Sequence, residues 1–97
     1  MPDFVYGNFE WDINKDKLNK QKHGIGFEDA IGIFFQKTFE IISIYETEFY
    51  SEQRVVAISK LNGRFITVIY TWRGVKRRII SARHSRKKEV EAYENDR

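Results

Sequence analysis

With 97 residues, 41% of them hydrophobic and 15% aromatic, the chain can bury one core, which excludes a chain left disordered by composition. It has no cysteine and two histidines, which excludes disulfide staples and thiolate chemistry and leaves little from which to build a zinc site. The net charge of +3 conceals an asymmetry: residues 1–50 carry five Lys/Arg against nine Asp/Glu, and residues 51–97 carry twelve against five.

Between Trp72 and Lys88 there are eight basic residues and no acid. Such a stretch attracts phosphate or an acidic partner, and it is equally what a solvated sheet edge followed by a helix start looks like. The apolar runs are too short to span a bilayer, and MPDFVYGNF lacks the basic-then-apolar pattern of a signal peptide. The expectation is a soluble intracellular protein with no membrane contact, folded as a single domain over 1–97.

In chain order, Phe4 to Trp11 is aromatic and partly alternating and predicts a first strand. Asp12 can cap a following helix, and Gly24 can close it in the left-handed conformation. Between them Leu18 is the only clear apolar anchor, so this helix is expected at the surface. Phe27, Ala30, Ile31, Phe34 and Phe35 recur at helical spacing and predict a second helix, with Glu28 and Asp29 in its first turn.

The period then changes. Phe39–Tyr45, Arg54–Ser59, Arg64–Trp72 and Val75–Ala82 are rich in β-branched and aromatic residues and predict strands. Asn62-Gly63 predicts a tight hairpin turn between the second and third, and Arg73-Gly74 a turn before the fourth. Ser85 can cap a last helix anchored by Val90 and Tyr93. The expected class is α+β: two N-terminal helices and a C-terminal helix packed on a mainly antiparallel sheet of four to five strands.

Several polar residues share surfaces by spacing. Lys15 and Lys22 are two helical turns apart, and Lys15 and Asn19 one turn, so with His23 they can make one polar face along the first helix. His23 is the better placed of the two imidazoles for proton transfer; the bland alternative is a helix-terminal histidine capping carbonyls. Arg78 and Arg83 fall on opposite faces of a regular strand, unless a bulge or the strand end intervenes. Arg83, at the strand end, is the candidate phosphate ligand; Ser81 shares its face, and Arg54 and Arg73 are further candidates. Glu10 either orients a lysine or arginine or makes an edge pair. Trp11, Tyr70 and Trp72 are read as core, and His84 as surface.

Three stretches, FEWDINK at 9–15, NKQKHGIGFEDA at 19–30 and RRIISARHSRKKEVEAYE at 77–94, together resemble the BrnT family of toxins. The resemblance implies a RelE-like fold and a metal-independent endoribonuclease that cleaves RNA and stops translation in the bacterial cytoplasm, with no cofactor. It implies a neutralising BrnA-like antitoxin that binds DNA, a toxin–antitoxin hetero-oligomer, and contact with operator DNA through the antitoxin. For such an activity the candidate site residues are His23, Lys15, Arg83 and Arg54 for catalysis, with Lys22, Asn19, Arg73, Arg78, Ser81 and Glu10 for substrate; Arg54 and Arg73 lie outside the matching stretches and are candidates for their charge alone. Gly26 stands where the family often has a hydroxyl residue, which leaves the cap of the second helix unexplained. The alternative is a non-catalytic module that binds nucleic acid or antitoxin; a third reading is a structural subunit holding an acidic protein.

Overall fold

The computed structural model describes residues 3–96. Asp3–Tyr6 (β1) and Phe9–Asp12 (β2) form a hairpin, followed by helices Ile13–His23 (α1) and Phe27–Ala30 (α2) and a 3-10 turn over Ile31–Phe35. The strands Phe39–Glu46 (β3), Ser51–Leu61 (β4), Arg64–Arg73 (β5) and Lys76–His84 (β6) follow, then helix Lys87–Asn95 (α3). One six-stranded sheet has the order β1-β2-β6-β5-β4-β3, with β2 parallel to β6 and every other pair antiparallel.

The expected α+β class is found, with three corrections. The segment read as one N-terminal strand is two, because Gly7 takes a left-handed φ of 57° and reverses the chain before Asn8. The sheet therefore has six strands and is mixed. The second helix is a single α-turn that tightens into 3-10. Gly32 and the β-branched Ile31 and Ile33 weaken an α-helix there, and Leu61 packs 3.1 Å from where a Gly32 Cβ would stand. Finally, Leu18 anchors nothing: it is 62% exposed, while its neighbour Asn19 is buried.

Local signals explain most element ends. The Asp12 carboxylate accepts from the Asn14 and Lys15 N–H groups, and Gly24 closes α1 at φ 73°. Asn62 and Gly63 both have positive φ, 52° and 80°, as a two-residue hairpin turn between twisted strands requires. Gly26 has no side chain with which to cap α2, and Asp16 of α1 supplies the cap instead, its Oδ1 accepting from the Phe27 N–H at 2.8 Å. At α3 the cap position is Arg86, not Ser85: Glu89 reaches back to the Arg86 N–H at 2.7 Å, and the Ser85 hydroxyl pairs with Thr67.

The pairing registers sort the sheet into two faces. One carries Phe9, Trp11, Val55, Ala57, Ile66, Val68, Tyr70, Ile79 and Ala82 under Phe27, Ala30, Ile31 and Ile33, and this is the core. Truncating a fully buried aromatic such as Phe27 is expected to destabilise by about 3–5 kcal/mol. Trp11 and Tyr70 are core as expected; Trp72 is half exposed. Arg77 lies on this face too, its guanidinium 4.7 Å from the ring centres of both Phe34 and Trp72.

The second face carries Arg54, Thr67, Thr71, Arg78, Ser81 and Arg83. Helix α3 covers one end of it, with Tyr93 edge-on to Phe65 at 5.5 Å. Among the described residues no helix lies over the opposite end of that face.

Candidate functional site

The open end of the second face holds a cleft of about 230 Å³ lined by Lys15, Tyr50, Glu52, Arg54, Thr71, Arg73, Arg78 and Ile80. Beside it lies a second hollow of about 200 Å³ lined by Lys15, Leu18, Asn19, Lys22, His23, Ile80 and Ser81. Lys15 and Ile80 line both, so the two make one groove between α1 and the sheet.

A β-bulge builds this groove. Ile69 faces Ser81 while Tyr70 faces Ile79, which leaves Ile80 as an extra residue in β6. The extra residue shifts the alternation by one. Arg78 pairs with Thr71 and Arg83 with Thr67, and both arginines fall on the same face despite their odd spacing. A regular strand would have sent one of them into the core.

Helix α1 is fixed by a side chain that imitates a strand. Beyond Ile79 the edge of β6 has no partner from β2, whose register ends there. The Asn19 carboxamide takes over: its Nδ2 donates to the Ala82 carbonyl at 2.7 Å and its Oδ1 accepts from the Ala82 N–H at 3.2 Å. Nδ2 also donates to the Ile25 carbonyl at 2.9 Å. Asn19 therefore lines the groove but is spent on backbone, and it aligns Lys15, Lys22 and His23 along the groove wall.

The cations at the open end differ in how far they are neutralised. Arg78 donates to Glu10 at 2.5 Å and to Asp3 at 2.9 Å. The hydrogen bond to Asp3, then that to Glu10, hold the Arg78 guanidinium above its usual range, and the same Arg78 contact holds the Asp3 carboxyl below its own. Arg54 donates Nε to Glu52 at 2.9 Å and lies 3.7 Å above the Tyr45 ring, and Arg73 approaches the same Glu52 at 3.7 Å. No carboxylate pairs with Lys15 among the described residues.

Lys15, Arg54, Arg73, Arg78, Asn19, Lys22, His23 and Ser81 are thus brought into one groove, with Glu10 behind it on Arg78. Arg83 is not among the lining residues. Its guanidinium makes two parallel bonds to Glu89 of α3, at 2.7 and 2.8 Å. Burial alone would raise the Glu89 carboxyl; the bonds from Arg83, the Arg86 N–H and Thr67 overturn that and lower it to about 2. Arg83 is a staple between β6 and α3.

Sequence reasoning missed Tyr50, Glu52, Thr71 and Ile80. Glu52 was findable, since it stands two residues before Arg54 and so shares its strand face; the bulge at Ile80 has no sequence signal. A larger cavity, about 330 Å³, lies on the other face between α2 and the β4–β5 turn. Its charged lining is Asp29, Arg64 and the surface residue His84, with no cluster of cations. No helix among the described residues is long and apolar enough to cross a membrane.

No curated protein matches the chain. Residues 11–89 match the family described as "Ribonuclease toxin, BrnT, of type II toxin-antitoxin system", and this span takes in the KHG, FEDA and IISAR motifs that carried the resemblance. The chain belongs to the BrnT family of ribonuclease toxins of type II toxin–antitoxin systems.

Proposed function

We propose that the protein is a metal-independent endoribonuclease whose substrate backbone lies in the groove between α1 and the open end of the sheet. One observation carries this reading: four cations, Lys15, Arg54, Arg73 and Arg78, converge on a cleft that is continuous with His23. The reaction is attack of a ribose 2′-hydroxyl on the adjacent phosphorus, expelling the 5′-oxygen of the next nucleotide and leaving a cyclic phosphate. His23 and Lys15 are assigned to proton transfer, one taking the proton of the 2′-hydroxyl and the other giving one to the leaving oxygen, each step worth about 10²–10⁴-fold. The guanidinium groups of Arg54, Arg73 and Arg78 are assigned to the extra charge on the phosphate, where fixed donors act most strongly. Lys22 and Ser81 extend the backbone track. Arg83 and Asn19 act by holding α3 and α1 in place, and Glu10 by orienting Arg78.

Family membership supports the wider setting. In this reading residues 1–97 are one RelE-like toxin domain in the bacterial cytoplasm, acting on RNA to stop translation. A BrnA-like, DNA-binding antitoxin joins it in a hetero-oligomer that reaches operator DNA through the antitoxin.

A second reading is a module that binds RNA or antitoxin without cutting. It is favoured by the carboxylates already present, since Asp3, Glu10 and Glu52 occupy part of the arginine cluster. Incubation of the purified protein with RNA in chelator separates the two. Cleavage ending in cyclic phosphate, lost in His23→Ala and in Arg54→Ala, supports the enzyme. Intact RNA with folded protein supports the module.

A further inference from the structure

The β3–β4 turn presents aromatic rings to solvent, and one of them, Tyr50, stands at the rim of the cationic cleft. Phe49 is 87% exposed and Tyr50 52% exposed. Scattered exposed rings are ordinary, but Tyr50 lines the cleft with Lys15, Arg54, Arg73 and Arg78.

Hydrogen bonds close the turn. The Thr47 hydroxyl oxygen accepts from the Phe49 N–H at 3.2 Å and the Tyr50 N–H at 3.1 Å, and the Thr47 N–H donates to the Tyr50 carbonyl at 2.8 Å. Tyr50 leans on Tyr45, ring centres 6.1 Å apart, and Arg54 lies on the Tyr45 ring. By the register, Glu46 falls on the other face of the sheet, away from the cleft. The combination of a wet aromatic ring and guanidinium groups beside it suits a planar heterocycle attached to a phosphate.

We infer that Tyr50 is a stacking subsite for an unpaired nucleobase of the strand whose phosphate sits among Arg54, Arg73 and Arg78. This rests on the proposed reading of the groove as an RNA site. The substrate is then single-stranded at the cleft, because a paired base has no free face to offer. The subsite selects flexible, unstacked segments over duplex and discriminates weakly among bases.

The test uses a short 2′-O-methyl oligonucleotide, which cannot be cut, and the same backbone with abasic sites throughout, both measured by fluorescence anisotropy at one fixed salt concentration. Tyr50→Leu is expected to weaken the base-bearing strand by about 5- to 100-fold, while Tyr50→Trp retains it. The abasic strand is expected to bind wild type and Tyr50→Leu alike, and Arg54→Ala to weaken both strands. Equal binding of the base-bearing strand by wild type and Tyr50→Leu overturns the stacking subsite alone and leaves the exposed rings to a protein partner. Failure of wild type to bind either strand overturns the RNA groove and the subsite with it.

Discussion

The two ends of one sheet face use arginine in opposite ways. Under α3, Arg83 meets a single carboxylate in two parallel bonds, and both side chains are largely buried, 15% and 16% exposed. Glu89 is saturated in turn by Thr67 and the Arg86 N–H. At the open end, Arg78 is held by Glu10 and Asp3, Arg54 and Arg73 share Glu52, and Lys15 has no carboxylate among the described residues, so four cations meet three carboxylates. A closed ion pair holds two elements together and has little left for a ligand. An under-neutralised cluster gains more from an arriving phosphate than from its own neighbours. Counting basic residues along the chain cannot tell these cases apart; only the positions of the carboxylates do.

The contrast is sharpest in cleavage. Arg54→Ala is expected to lower the cleavage rate by about 10²–10³-fold with little change in melting temperature, since Glu52 keeps Arg73. Arg83→Gln should do the reverse, lowering the melting temperature while cleavage below it persists. Cleavage assays beside calorimetry decide this, and an Arg83→Gln protein that is stable but inactive would erase the distinction.

Next in size is the alignment of the groove wall. Asn19→Ala strands the Ala82 N–H and carbonyl at a buried edge and is expected to destabilise by about 2–4 kcal/mol in denaturant unfolding. A near-neutral result would mean that α1 is held in place without the Asn19 bonds.

The staple has its own signature in pH. Glu89 is lowered from 4.5 to about 2 on folding, so its contribution is fully present above about pH 4.5 and is lost as pH falls toward 2. With allowance for solvent screening it amounts to about 1–2 kcal/mol. Glu89→Gln should remove that amount at neutral pH and flatten this part of the acid limb of the stability profile. An unchanged acid limb would show that Arg83 is not held through Glu89.

The smallest effect is at Lys15. If it contacts phosphate, Lys15→Ala reduces the salt dependence of binding to an uncleavable oligonucleotide, lowering the log–log slope by about 0.7–1. An unchanged slope would move Lys15 from phosphate contact to proton transfer alone.

Local events are legible along the chain. Asp12 and Gly24 bound α1, Asn62-Gly63 turns the chain between β4 and β5, and period-two apolar residues make the strands. These follow from φ preferences and from hydrogen bonds spanning a few residues, which nearby side chains dictate. The sequence also carried the motifs that identify the family. Tertiary structure decided the rest: the parallel docking of β2 on β6, the bulge at Ile80, the cap lent by Asp16 to α2, the burial of Asn19 and the capture of Arg83 by α3. Asn19 and Ala82 are 63 residues apart, and Arg78 and Asp3 are 75 apart. The fate of a polar side chain is set by which distant groups lack a partner once the sheet has closed, and no window of sequence contains both members of such a pair.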